Sequence, residues 1–167
     1  LLHQYEPWAR FRMEWEGIRT ASAKTTAFPF AEYRQGQREM AVAVYRTIQR
    51  EKRLFCQAPT GIGKTISVLF PSIKAMGEGL SGRIFYLTAK TVTRQSAEQA
   101  LSLLRKKGLR VKVVTLTAKE KICFRSETSC NPDDCPYAKG HYDRVNDAVY
   151  RFLQQEDFFT REKIEEW

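Results

Sequence analysis

Ala58-Pro59-Thr60-Gly61-Ile62-Gly63-Lys64-Thr65 is the stretch whose reading decides the fold. It follows the apolar run Leu54-Phe55-Cys56, which reads as a short buried strand, and leads into Ile66-Ser67-Val68-Leu69-Phe70, which reads as the first turns of a helix. A phosphate-binding loop needs that setting. Gly61 and Gly63 can take backbone angles that other residues avoid, so consecutive N–H groups can turn inward around an anion at a helix N-terminus. Lys64 supplies a mobile point charge for the outer phosphates, and the Thr65 hydroxyl can ligate magnesium. Ala58 stands where the usual pattern has glycine, at a position that mainly needs a small side chain. A mere glycine-rich turn would not bring strand, Gly-Lys-Thr and helix into agreement. Pro59, Thr60, Gly61, Ile62, Gly63, Lys64 and Thr65 are therefore the candidate contacts for ATP and Mg2+, with Lys64 and Thr65 as the catalytic candidates.

Upstream, Phe28-Pro29-Phe30 reads as extended chain, because a residue before proline is pushed out of helical angles. A helix should follow from about Gln35 to Arg50, burying Met40, Val44, Tyr45 and Ile48. Gln37 lies at its start, and a side-chain amide both donates and accepts, as recognition of an adenine edge requires. Gln37 is the candidate adenine reader, with Phe30 from the adjoining aromatic cluster beside it. Further upstream, Tyr5, Trp8, Phe11 and Trp15 recur at three- to four-residue steps, which reads as an amphipathic helix whose aromatic stripe packs or stacks on bases. Residues 20–27 lack apolar periodicity and read as a linker.

Downstream of the loop, a helix should run from Lys64 to Met76 and stop at Gly77-Glu78-Gly79. Arg83–Thr88 reads as a second strand, Thr91–Lys107 as a second helix, and Arg110–Leu116 as a third strand. Strands alternating with helices predict an α/β fold, a parallel sheet with helices on both faces and ligands at the carboxyl ends of the strands. Two loops leave those ends. One carries Thr88, Lys90, Thr91 and Arg94, the other Thr117, Lys119 and Lys121. Hydroxyls, helix N-terminal amides and cations are the groups that hold a phosphodiester backbone without reading sequence, although the threonines can equally cap helices.

Charge agrees with a polyanionic partner. The net charge is +9, but residues 1–125 hold 23 Lys/Arg against 9 Asp/Glu, a net of +14, while residues 126–167 hold 5 against 10, a net of −5. No apolar run approaches the ~20 residues of a membrane span, and no signal-peptide segment opens the chain, so the expected location is the cytoplasm. The first residue is Leu1, so the chain reads as a piece of a longer protein. In a cytosolic chain disulfides are not expected. Cys123, Cys130 and Cys135 fall in a weakly periodic segment with six and four residues between them. That spacing alone leaves an iron–sulphur cluster, a zinc site and unliganded thiols open. Cys56, in its apolar run, reads as a small buried hydrophobe, and His141 as a surface group.

Phe28-Pro29-Phe30 through Gln37, the Ala58–Thr65 loop, Tyr86–Thr91 and Leu116–Cys123 stand in the order and spacing of the first helicase domain of the XPD/DinG family. Over roughly residues 28–150 the chain resembles a bacterial member of that family of superfamily 2 DNA helicases. The resemblance implies a RecA-like motor domain over 28–120 after a helix and linker over 1–27. It also implies a partial iron–sulphur domain over 121–167, holding a [4Fe–4S] cluster through Cys123, Cys130 and Cys135. It implies 5′-to-3′ translocation on single-stranded DNA, driven by ATP, in repair or the damage response. The family uses four cysteines, and residues 136–167 contain none, so the fourth ligand is expected just beyond Trp167. An acidic magnesium-holding motif and a second motor domain are also missing, and this stretch alone should turn over ATP negligibly. Two rival readings keep the loop: another P-loop ATPase with a zinc knuckle, indifferent to DNA, and a nucleic-acid adaptor with a vestigial phosphate site.

Overall fold

A computed structural model describes residues 2–127 and 129–167. The chain divides into two compact units, residues 1–110 and 111–167. The first unit is built from helices α1 (Leu2–Thr25), α2 (Gln37–Gln49), α3 (Lys64–Gly77) and α4 (Thr91–Lys106). The second holds β1 (Val113–Val114), α5 (Lys119–Ile122), α6 (His141–Gln155), β2 (Phe158–Phe159) and α7 (Arg161–Glu166). No helix among the described residues is long and apolar enough to cross a membrane.

In the first unit α3 is the central element, packed against α1, α2 and α4. Its sequence explains the position. Ile66, Leu69, Ile73, Ala75 and Met76 are all buried, so apolar residues cover more than one stripe of the helix, as a fully surrounded helix requires. Ala41 and Val44 of α2 and Ala97, Ala100 and Leu104 of α4 meet it with small or branched side chains. α1 comes closest. A Cβ on Gly77 would stand 2.8 Å from the Lys24 backbone nitrogen, so only a glycine lets the two backbones approach this way. The Lys74 ammonium then caps the end of α1 by donating to the carbonyls of Lys24 and Thr26.

Three expectations need correction here. Residues 20–25 are helical, not a linker, because the alanines of this stretch favour helix and Ala23 is fully buried against Gly77. The expected strands Leu54–Cys56 and Arg83–Thr88 carry no ladder hydrogen bonds among the described residues. Pairing is non-local, and apolar alternation makes a segment fit for a sheet without supplying its neighbour. Phe55 is 94% exposed and Leu87 88%, and Cys56, expected to be buried, is exposed as well.

The second unit does contain parallel pairing, between β1 and β2, with Val113 opposite Phe158 and Val114 opposite Phe159. The expected third strand is thus paired only at Val113–Val114, by a partner the sequence pattern did not mark. Lys112 fixes this pair: its ammonium donates to Asp157 Oδ1 at 2.9 Å and to the Glu156 carbonyl at 2.6 Å. Phe152 of α6 packs edge-on against Phe159 with ring centroids 4.8 Å apart. The short helices expected at 150–155 and 160–167 appear as the end of the longer α6 and as α7.

Candidate nucleotide and nucleic-acid sites

The loop before α3 has the conformation its glycines predict. Gly61 and Gly63 sit at φ 84° and 86°, in left-handed backbone that an L side chain rarely adopts. Gly63 is the residue before α3, so the N–H groups of Lys64, Thr65 and Ile66 in its first turn have no intrahelical acceptor. Donors and the positive end of the helix dipole therefore point into one small region. The Lys64 ammonium reaches across the loop to the carbonyls of Ala58, at 3.0 Å, and Pro59, at 3.1 Å. It forms a bridge over the space that Thr60–Gly63 encloses.

The segment before α2 is fastened to this loop. Gln37 is only 2% exposed. Its Oε1 accepts from the Arg34 backbone N–H at 3.0 Å, and its Nε2 lies where a Cβ on Gly63 would be, 2.5 Å from that position. Arg34 in turn donates from its guanidinium to the Gly61 carbonyl at 2.6 Å. A residue read from sequence as a candidate adenine contact is thus also the packing partner that holds the phosphate loop in shape. The part played by Arg34 was missed; its place three residues before Gln37 was the available signal. Phe30 stands on the open side of an aromatic cluster. Phe28 stacks on Tyr33 at 4.0 Å and meets Phe30 and Phe70 edge-on. Phe30 remains about half exposed, its ring available for a flat ligand.

The candidate backbone-binding residues form two groups in different units. Thr88, Lys90, Thr91 and Arg94 gather at the start of α4, where the Lys90 N–H approaches Thr88 Oγ1 at 3.3 Å and Arg94 pairs with Glu98 at 3.7 Å. Thr117, Lys119 and Lys121 gather at the start of α5. The Thr117 hydroxyl is sequestered without a hydrogen-bond partner among the described residues.

Lys119 does more than face solvent. The Cys130 sulfur beside it, and Cys123 next, hold its ammonium above the usual lysine value. Cys135 is buried, and its thiol is held below the usual range by the backbone N–H of Ala138, with Tyr137 and the Arg125 guanidinium adding to it against the cost of burial. The surroundings of Cys135 thus shift its balance toward thiolate. The donor set, however, does not close: among the described residues no three His, Cys, Asp or Glu side chains converge on a point that could hold a metal ion. Three thiols are also one short of the four a cubane cluster takes. As arranged, these residues do not fit the cluster. His141, the first residue of α6, lies edge-on to Tyr142 at its exposed surface.

The family described as DEAD/DEAH box helicase matches residues 34–153, more than half of the chain. A curated relative, a probable ATP-dependent helicase of Methanocaldococcus jannaschii, is 37% identical over 46 residues, which cover 28% of this chain and 7% of that protein. The chain therefore spans a small fraction of that relative's length. No solved structure matches it.

Proposed function

The chain belongs to the DEAD/DEAH box helicase family, and on that footing we propose that it is the ATP-binding part of a DNA helicase that moves 5′-to-3′ along single strands. The observation that carries the reading is the loop itself: two left-handed glycines, a cation bridging the loop and three unengaged amides at the start of α3. The amides and Lys64 would bind the β- and γ-phosphates of ATP, and Thr65 would hold Mg2+, which neutralises charge developing on the transferred phosphoryl group. Phe30 would take the base, and Gln37 would join it only by giving up its bond to the Arg34 N–H. The start of α4, and separately that of α5, would each hold a phosphodiester through backbone amides and cations, independent of sequence.

The iron–sulphur cluster belongs to the same proposal, with Cys123, Cys130 and Cys135 as three of its thiolates and a fourth donor that these residues do not supply. Assembly would have to draw the three sulfurs together. The proposed setting is DNA repair or the damage response in the cytoplasm. A fluorescent ATP analogue with Mg2+ tests the first half: saturable binding should disappear in Lys64→Ala. Strand displacement by the full-length gene product on substrates with a 5′ or a 3′ overhang tests the second. ATP turnover indifferent to DNA would return the loop to an unspecified ATPase.

A further inference from the structure

Away from the phosphate loop, α2 and α3 lie side by side and leave a groove of about 490 Å³ between them. Its floor is apolar, formed by Val42 and Tyr45 of α2 and by Phe70 and Pro71 of α3. Its rim is basic. Arg38 and Arg46 stand on the α2 side and Lys74 on the α3 side, with Glu78 the one acid among the lining residues. These charges are not equivalent. Lys74 is committed to the carbonyls that end α1, and Glu78 pairs with Lys24 at 3.9 Å. Arg38 and Arg46 are both exposed and make no ion pair among the described residues. Two guanidiniums therefore flank an apolar floor, two helical turns apart on one helix.

We propose that this groove is a docking site for an acidic amphipathic helix of a partner protein. Shape and charge both favour that occupant. The lining residues of α2 run from Arg38 to Gln49, about 16 Å along the axis, which is the length of three turns of a guest helix. An apolar stripe at i, i+3 or i+4 and i+7 would cover Val42, Tyr45 and Phe70, and carboxylates beside the stripe would meet Arg38 and Arg46. Single-stranded nucleic acid suits the groove less well, because bases need open aromatic faces. Tyr33, at one end of the groove, has a face covered by Phe28 at 4.0 Å. Three turns of helix make a small interface, so the complex should be weak and reversible.

Selection of three-turn helical peptides from a display library on the intact chain tests this, followed by anisotropy titration of the enriched sequences. Enriched peptides should carry Asp or Glu on both sides of an apolar stripe. Their affinity should fall about tenfold on reversing both rim charges in Arg38→Glu/Arg46→Glu, a change of exposed side chains that should leave the melting temperature unaltered. Val42→Asp, at a position 41% exposed, should abolish binding by placing a charge in the floor. Enrichment without acidic residues, or affinity that survives the double reversal, overturns the proposal. So does an oligo-dT strand that displaces the peptide and itself loses affinity in the double variant, which would give the surface to nucleic acid.

Discussion

At Gly63 two constraints meet: a backbone φ of 86° and a neighbouring amide that leaves no room for a methyl group. Gly63→Ala should cost about 1–3 kcal/mol for the left-handed residue alone, more if Gln37 must move, and a thermal melt reads the loss. An unchanged melting temperature would show that the loop does not hold this conformation in solution. Arg34→Ala should behave differently. It removes one bond to the Gly61 carbonyl at an exposed position, so nucleotide affinity should drop severalfold while the melting point, set by the core of the first unit, shifts little. A labelled nucleotide reads the loss of affinity, and the thermal melt separates the two variants. The residue types of this site were legible because each has a chemical task at a fixed spacing. The fastening of Gln37 to the loop was not, since a side-chain amide that reads a base and one that packs beneath a loop look alike in a sequence.

Between elements, the approach of α1 to α3 at Gly77 is the contact most sensitive to a single atom. Gly77→Ala would put its Cβ within 3.1 Å of three atoms of Ala23 and Lys24, and overpacking of this kind typically costs about 1–3 kcal/mol. Limited proteolysis should then cut inside α1 sooner than in the parent chain, and protection equal to the parent would argue against the close packing. The three middle helices, α2, α3 and α4, lie within two residues of where glycines and apolar spacing put them. α1 ran past its expected end because Thr20–Thr25 has no apolar stripe to recognise; what orders it is a glycine fifty residues later and the lysine that caps it. Local pattern carries no information about either.

For the molecule as a whole, apolar surface is left open in the segments that precede α3 and α4. Phe55 and Leu87 lie in unpaired segments that lead into α3 and α4, and such segments are templates for pairing with another chain. Phe55→Lys and Leu87→Lys should each raise the concentration at which the isolated chain begins to aggregate, as light scattering would show, with no loss of helical signal. The expected sheet was legible as strand-forming sequence but not as pairing, because a strand's neighbours are chosen by the rest of the fold. Charge belongs to this scale too. With 23 Lys/Arg against 9 Asp/Glu over residues 1–125, binding to oligo-dT should weaken steeply with added salt, each neutralised phosphate contributing about 0.7 to the logarithmic slope. A flat response would remove the start of α4, and likewise that of α5, from consideration as a phosphate contact.

The capped junction of α1 and α3 has a mechanical meaning. One end of α3 is the floor of the phosphate loop, and the other, about 21 Å away at 1.5 Å per residue, is the pivot that Gly77 and Lys74 make with α1. α1 continues from that pivot for about 36 Å. A tilt of about 10° imposed on α3 would sweep the far tip of α1 through about 6 Å by the same geometry. If α3 tilted with the loop and α1 followed rigidly, the far end of α1 would report the state of the loop as a displacement.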